Sequence, residues 1–265
     1  MRRYILDSLP RFLPQRTSRM ARGHTATLGA LALALVVVLA TLLAGCARAG
    51  GRAATQGNVS GAASQPTANP YALTYVAIGA SDAFGVGTYD PTQDNWPNVL
   101  AGELGHLRAQ VHLINLGIPG STVADAQSEE LPVALDAHPD IVTVWLAVND
   151  LADNVPLATY TSELSALLGA LRAQTHARVY VGNLPDLTQL PYFANDDPAT
   201  LRQTIAAWNT VIAQDTHANG ATLVDLHAYS DLLAQNPSYI APDGLHPSTQ
   251  GAQALAGVFA RAIHG

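Results

Sequence analysis

An aspartate and a histidine three residues apart, Asp243 and His246, have the side chains and the spacing that proton-transfer chemistry needs. A carboxylate at that distance can hold an imidazole in one tautomer, and the imidazole can then take a proton from a hydroxyl group. Ser81 lies near the other end of the same globular stretch. By itself, the Ser81-Asp82 pair is more typical of a helix cap or a turn. Combined with Asp243 and His246, it indicates a serine activated as a nucleophile for acyl transfer.

The segments that must position these residues alternate between strand and helix. Apolar, β-branched runs predict five strands, over 73–78, 111–116, 141–148, 179–181 and 221–226. Apolar residues at helical spacing predict helices over 97–108, 121–137 (capped by Ser121 and kinked at Pro132), 157–174, 198–216 (capped by Asp197) and 248–263. This alternation predicts an α/β fold of three layers, α/β/α, with a five-stranded parallel sheet at its centre.

The candidate site residues all follow strand ends. Ser81, Gly120 and Asn149 come after the first three predicted strands, and Asp243 and His246 come after the fifth. Parallel sheets bind ligands at the carboxyl ends of their strands, so we expect these residues to converge there. Backbone N–H groups near Gly120 and the amide of Asn149 could stabilise an oxyanion. The alternatives are a strand-to-helix turn for the glycine and a loop cap for the asparagine.

Four segments, taken in their order along the chain, carry a family resemblance: Gly79-Ala80-Ser81-Asp82, Gly120, Asn149-Asp150 and Asp243-Gly244-Leu245-His246. Together they resemble the SGNH hydrolases, also called the GDSL esterase/lipase family. The resemblance implies a flavodoxin-like sheet, with Ser81 as nucleophile, His246 as general base and then acid, and Asp243 as its orienting group. It also implies an oxyanion hole made by the N–H groups of Ser81 and Gly120 and the side chain of Asn149. It implies no cofactor.

The chain departs from the family pattern at two positions. The usual Gly-Asp-Ser-Leu is Gly-Ala-Ser-Asp here, and the glycine two places before the asparagine is Ala147. Two other functions stay open: transfer of the acyl group to an envelope glycan by the same triad, and solute binding by a non-catalytic lipoprotein. The substrate of an esterase is not fixed by its fold. Loop aromatics Phe84, Tyr192 and Phe193 are predicted to line a substrate pocket, with core packing as the alternative.

The N-terminal part has the pattern of an export signal. An uncharged apolar run over 28–44 follows six arginines and precedes Cys46, which predicts a lipoprotein-type signal peptide over 1–45 with lipidation at Cys46. A transmembrane anchor is the alternative, and translation could start at Met1 or Met20. Residues 46–70 have the composition of a flexible tether, and 71–265 form the predicted hydrolase domain. We therefore expect an exported protein tethered to the outer face of the cell membrane.

The composition excludes several classes of function. The chain has no lysine and a single cysteine, so lysine-dependent phosphate loops, Schiff bases and catalytic thiols are excluded. Residues 71–265 carry five arginines against 19 acids, a formal charge of −14, which disfavours nucleic acid as a partner. No metal site is expected, since Glu129–Glu130 and Asp196–Asp197 are predicted to be a solvated helix face and a helix cap. The expected partners are an ester substrate and the membrane, and the domain is expected to be a monomer.

Overall fold

Five parallel strands form the centre of the fold in the computed structural model, which describes residues 73–106 and 110–265. The predicted signal peptide, the tether and Cys46 lie outside these residues. The strands are β1 (Leu73–Gly79), β2 (Val111–Asn115), β3 (Ile141–Trp145), β4 (Arg178–Gly182) and β5 (Thr222–Val224). Their order is β2-β1-β3-β4-β5, and every neighbouring pair is parallel. The predicted α/β fold with a parallel five-stranded sheet is confirmed.

Nine α-helices and four short 3₁₀ helices lie within the described ranges. The α-helices are α1 (Ser81–Phe84), α2 (Trp96–Gly105), α3 (Val123–Glu129), α4 (Leu131–Asp136), α5 (Ala147–Ala152), α6 (Leu157–Gln174), α7 (Pro198–Ala218), α8 (Asp231–Gln235) and α9 (Thr249–His264). The 3₁₀ helices are Leu187–Gln189, Pro191–Phe193, His227–Tyr229 and Pro237–Tyr239. In this part of the chain, no helix is both long and apolar enough to span a bilayer.

Both faces of the sheet are buried, which is why its strands are almost wholly apolar. Along β1, Val76 and Ile78 face one apolar cluster, whereas Tyr75 and Ala77 face the other. Helices α2 and α9 cover the second face, where the rings of Trp96 and Phe259 stack 4.5 Å apart. Helices α3, α4, α6 and α7 cover the first face. The sheet is therefore the middle layer of three.

The strand order creates a crevice between β1 and β3. The chain moves from β1 to one side to form β2, and the later strands are added on the other side. Connections leaving β1 and β3 therefore diverge at the carboxyl edge, which is the usual ligand-binding position in such sheets. Ser81 follows β1 and Asn149 follows β3, so both lie beside this switch point.

Two local predictions were wrong. The third strand, predicted to run to Val148, ends at Trp145, and Asn149 lies on α5. The run 141–148 is apolar throughout because both elements are packed at the sheet edge, and such a run does not distinguish a strand from a buried helix. The cap of α3 is Thr122, which exchanges hydrogen bonds with Asp125, and not Ser121. The break near Pro132 is real, since α3 ends at Glu129 and α4 begins at Leu131.

Candidate active site

Asp243 and His246 lie on one turn between the last 3₁₀ helix and α9. Asp243 Oδ1 accepts hydrogen bonds from the backbone N–H groups of Leu245, at 2.9 Å, and His246, at 3.0 Å. Its Oδ2 lies 2.7 Å from His246 Nδ1. The turn is closed by Ala241 N–H, which donates to the His246 carbonyl at 2.8 Å. The carboxylate therefore fixes both the backbone of the turn and the orientation of the imidazole.

The serine comes from the opposite end of the domain. Ser81 is the first residue of α1, directly after β1, and its Oγ lies 2.9 Å from His246 Nε2. Hydroxyl, imidazole and carboxylate thus form a continuous hydrogen-bonded chain. Partial burial acts to raise the pKa of Asp243, but hydrogen bonds from Leu245 and His246 outweigh it and hold that pKa below its usual value. The carboxyl group is therefore ionised at neutral pH.

Two glycines allow the loops around this chain to approach closely. Gly87 has a φ of +93°, and a Cβ there would lie 2.8 Å from His246 Cβ. Gly117 lies against α1, where a Cβ would come within 2.7 Å of the Phe84 backbone nitrogen. Real Cβ atoms do not approach this closely, so either substitution would force the backbone that carries Ser81 or His246 to move.

Gly120 lies in the loop after β2 and Asn149 lies on α5 after β3, so they come from the two strands that flank β1. Asn149 Nδ2 donates to the carbonyl of Ser121 at 2.9 Å, and this bond links α5 to the loop after β2. The Ile118 N–H donates to the Gly79 carbonyl at 3.1 Å, and this holds the same loop beside the end of β1. Gly120 adopts a φ of +84° within the loop. The structure therefore brings all five predicted site residues to one edge of the sheet.

Glu130 also contributes to this edge, contrary to the prediction from the sequence. It was predicted to lie on a solvated face, but it is 1% exposed. Its Oε2 accepts the Gly79 N–H at 2.9 Å and its Oε1 accepts the Ser121 hydroxyl at 2.7 Å. One carboxyl group thus joins the strand that leads to Ser81 with the loop that carries Gly120. Burial raises the pKa of Glu130 to about 7, against the hydrogen bonds from Ser121 and Gly79.

Two more carboxyl groups near the site have raised pKa values. Asp150, next to Asn149, is buried and accepts the Val123 N–H at 3.1 Å, and burial raises its pKa to about 7.

Asp82, next to Ser81, accepts the indole N–H of Trp96 at 2.8 Å. Burial raises the pKa of Asp82 to about 6, although the Trp96 hydrogen bond and the nearby His246 act to lower it.

A cavity of about 130 Å³ opens beside Ser81, Asn149 and His246. The three aromatic residues predicted to line a pocket are not among the residues that line it. Phe84 and Tyr192 are about half exposed, and Phe193 is buried in the core. The cavity walls are mainly aliphatic side chains from the β4–α7 and β5–α9 connections. Leucines that line a pocket have no local sequence pattern that distinguishes them from leucines of a core.

No group of three histidine, cysteine or acidic side chains among the described residues is arranged to hold a metal ion. The carboxyl and imidazole groups at this edge form hydrogen bonds with other groups of the protein.

The comparison with known protein families agrees with this geometry. Residues 77–254 match the model of the GDSL-like lipase/acylhydrolase family, a span that runs from β1 to α9 and contains every residue of the site. The chain belongs to this family. It is accordingly a carboxylic ester hydrolase.

Relatives within the family are distant. The chain is 26% identical over 161 residues to an acetylxylan esterase of Geobacillus stearothermophilus, covering 58% of this chain and 72% of the relative. It is 32% identical over 92 residues to an arylesterase of Vibrio mimicus, covering 34% of this chain and 46% of that one. A solved structure of the Geobacillus acetylxylan esterase matches 74% of this chain and 95% of its own, with a TM-score of 0.61 at 19% identity. That structure shares the fold.

The buried carboxyl groups predict how stability depends on pH. Between about pH 4 and 7 the unfolded chain releases protons that Asp82, Glu130 and Asp150 retain in the folded state, so the free energy of unfolding falls as pH rises. Groups with lowered pKa, such as Asp243, act in the opposite sense only below this window. We expect the midpoint of thermal unfolding to be higher at about pH 5 than at about pH 8, because protonation removes the cost of burying charge.

Glu130→Gln tests the assignment, with the exposed neighbour Glu129→Gln as a matched control. The glutamine amide is neutral at every pH, so the Glu130→Gln variant should lose less stability between the two pH values than either the wild type or the control. Equal slopes for all three proteins, or a wild type that becomes more stable towards pH 8, would show that these groups are not buried as described.

Proposed function

We propose that the protein hydrolyses carboxylic esters in two steps through an acyl-enzyme on Ser81. The observation that carries the proposal is the continuous chain from Ser81 Oγ to His246 Nε2 and from His246 Nδ1 to Asp243, at 2.9 and 2.7 Å. Such a chain supplies the nucleophile, the base and the orienting group that acyl transfer needs.

In the first step His246 Nε2 accepts the hydroxyl proton while Ser81 Oγ bonds to the ester carbonyl carbon. The imidazolium that forms keeps its Nδ1–H directed at the ionised Asp243, which stabilises the new positive charge. The carbonyl oxygen becomes an oxyanion. The carbon–oxygen bond to the alcohol then breaks, and the alcohol leaves with the proton from Nε2, so the acyl group remains on Ser81.

In the second step a water molecule takes the place of the alcohol. Nε2 accepts its proton, the hydroxide adds to the acyl carbon, and the bond to Ser81 Oγ breaks as the proton returns to the serine. The products are the carboxylic acid and the free enzyme. We assign stabilisation of the oxyanion in both steps to the N–H groups of Ser81 and Gly120 and the second Nδ2 hydrogen of Asn149. The first Nδ2 hydrogen is engaged by the Ser121 carbonyl.

The names of the relatives suggest acetylated glycans and aryl esters as candidate substrates. These names support hydrolysis of an ester but not a particular acyl or alcohol group. Proteins that share a fold can differ in the residues that contact those groups.

We further propose that the domain works outside the cytoplasm, attached to the membrane through lipidated Cys46. The support is the sequence: a basic segment, an apolar run over 28–44 and the chain's single cysteine directly after it. The acidic domain should itself be repelled by anionic headgroups, so the lipid is left as the contact with the membrane. A tether over 46–70 would then let the active site reach substrates away from the surface.

Labelling by a fluorophosphonate probe tests the nucleophile. The probe should modify the wild type and the control Ser128→Ala, whose serine is exposed and bonds only within its own helix, but not Ser81→Ala. Hydrolysis of p-nitrophenyl esters should follow the same pattern. A folded wild type that neither reacts with the probe nor cleaves any ester would support the solute-binding alternative.

Asn149→Ala tests the oxyanion assignment. Loss of one donor typically lowers kcat by about 10²–10³, and we expect a change of that size with KM nearly unchanged. Steady-state kinetics should be compared with those of Asn195→Ala, which removes an exposed asparagine, and thermal unfolding should show that the site variant is still folded. A rise in KM at constant kcat would mean that Asn149 binds substrate and does not stabilise charge.

Cys46→Ser tests the anchor. In a bacterial host the wild type and the tether control Ser60→Ala should partition with membranes and incorporate a fatty-acid label, whereas Cys46→Ser should take up no label. If the Cys46→Ser protein stays in the membrane fraction and the wild type is unlabelled, the apolar run is a transmembrane anchor and the lipoprotein proposal is wrong.

A further inference from the structure

The cavity beside the triad is far more apolar than a site for a sugar or a polyol would be. We call it the edge cavity. Eight of its lining residues are leucines, namely Leu146, Leu187, Leu190, Leu226, Leu232, Leu233, Leu245 and Leu255. The lining contains few side chains with an ionisable or amide group, namely Asp82, Asn149, Tyr229, Tyr239 and His246. Hydroxyl groups of a sugar would find few partners against the leucines, and unpaired polar groups are costly to bury.

The volume of the edge cavity sets the size of what it can hold. An apolar cavity of about 150 Å³ accommodates a molecule of six carbons such as benzene. The edge cavity, at about 130 Å³, is therefore of a size for roughly five carbons beyond the carbonyl. An acetyl group has one, and it would leave most of the cavity without contacts.

The wall of the edge cavity is held from outside by polar contacts. The segment between β5 and the catalytic turn contributes Leu226, Tyr229, Leu232, Leu233, Tyr239 and Ile240 to the lining. Ser230, in the same segment, accepts the Asp186 N–H at 2.7 Å, and the Arg261 guanidinium lies 4.9 Å from the centre of the Tyr229 ring. These contacts fix the segment against the β4–α7 connection and α9. The segment that lines the cavity is thus held in place by contacts with the rest of the domain.

From these observations, and resting on the proposed esterase reaction, we infer that the edge cavity binds the acyl chain of the substrate and selects saturated chains of about six carbons over acetyl. The carbonyl carbon lies on Ser81, and the hydrocarbon tail extends along the leucines. The alcohol, which takes its proton from His246, is left outside the cavity and can be polar. Leu233, on α8, is a specificity-determining residue in this arrangement.

A ladder of p-nitrophenyl esters tests the inference. Each methylene moved from water to an apolar site contributes about 0.8 kcal/mol, which corresponds to about fourfold in kcat/KM. We expect kcat/KM to rise by about that factor per carbon from the acetate to the hexanoate and then to level off. A second ladder, with acetyl fixed and the alcohol lengthened from methyl to hexyl, should be nearly flat. Preference for the acetate, or a gain that follows the alcohol, would overturn the assignment.

Leu233→Trp should fill the cavity and flatten the rise in kcat/KM from the acetate to the hexanoate, so the ratio between the two esters, measured within each protein, should fall well below that of the wild type. Gln235→Trp is the matched control, because Gln235 is on the same helix but is exposed and does not line the cavity. An unchanged chain-length profile in Leu233→Trp would contradict the inference.

Binding to Ser81→Ala separates this inference from the proposed reaction. Calorimetric titration should show tighter binding of methyl hexanoate than of methyl acetate, by about fourfold per added methylene. If no ester is hydrolysed by the wild type but this difference in binding persists, the reaction is wrong and the edge cavity stands. If esters are hydrolysed without regard to chain length and both ligands bind equally weakly, the reaction stands and the inference about the cavity is wrong.

Discussion

Parallel pairing of the five strands constrains everything else in this molecule, because it sends the carboxyl end of every strand to the same edge. Residues that are 165 positions apart, Ser81 and His246, come within 2.9 Å because both follow strands that end there. The order β2-β1-β3 then opens the crevice at the point where connections diverge. Apolar burial on both faces holds this arrangement, and the polar side chains of the site lie at the carboxyl edge of the sheet.

Three carboxyl groups that are wholly or partly buried lie along this edge. Asp82, Glu130 and Asp150 each lie beside a residue or segment of the site, and burial raises the pKa of all three. A buried carboxylate can accept hydrogen bonds from backbone N–H groups, but removing its charge from water costs free energy. Its two oxygens, however, can join two segments at once. Glu130 does so between Gly79 and Ser121, so the strand that leads to the nucleophile and the loop that carries Gly120 share one partner.

The sequence was sufficient where the chemistry depends on short spacing and on element order. Asp243 and His246 are brought together by local backbone geometry, and Ser81 could be assigned to the same edge because strands and helices alternate. The burial of Glu130 was not predictable, since the pair Glu129–Glu130 has the composition of a solvated face and only the packing of α3 and α4 buries one of the two. The predicted end of the third strand at Val148 was wrong for a related reason: an apolar run does not show where extended backbone ends.

The position of the catalytic turn has a further consequence for how the domain folds. Asp243 and His246 are adjacent by covalent geometry and can meet while most of the chain is still unfolded, whereas the bond from His246 to Ser81 closes a loop of 165 residues. Loops of that length form late, because chain entropy is lost before the contact contributes. The first strand and the turn after the last strand must both be docked before the serine has its base. Any form of the chain in which β5 and the catalytic turn are not docked therefore has a serine without its base.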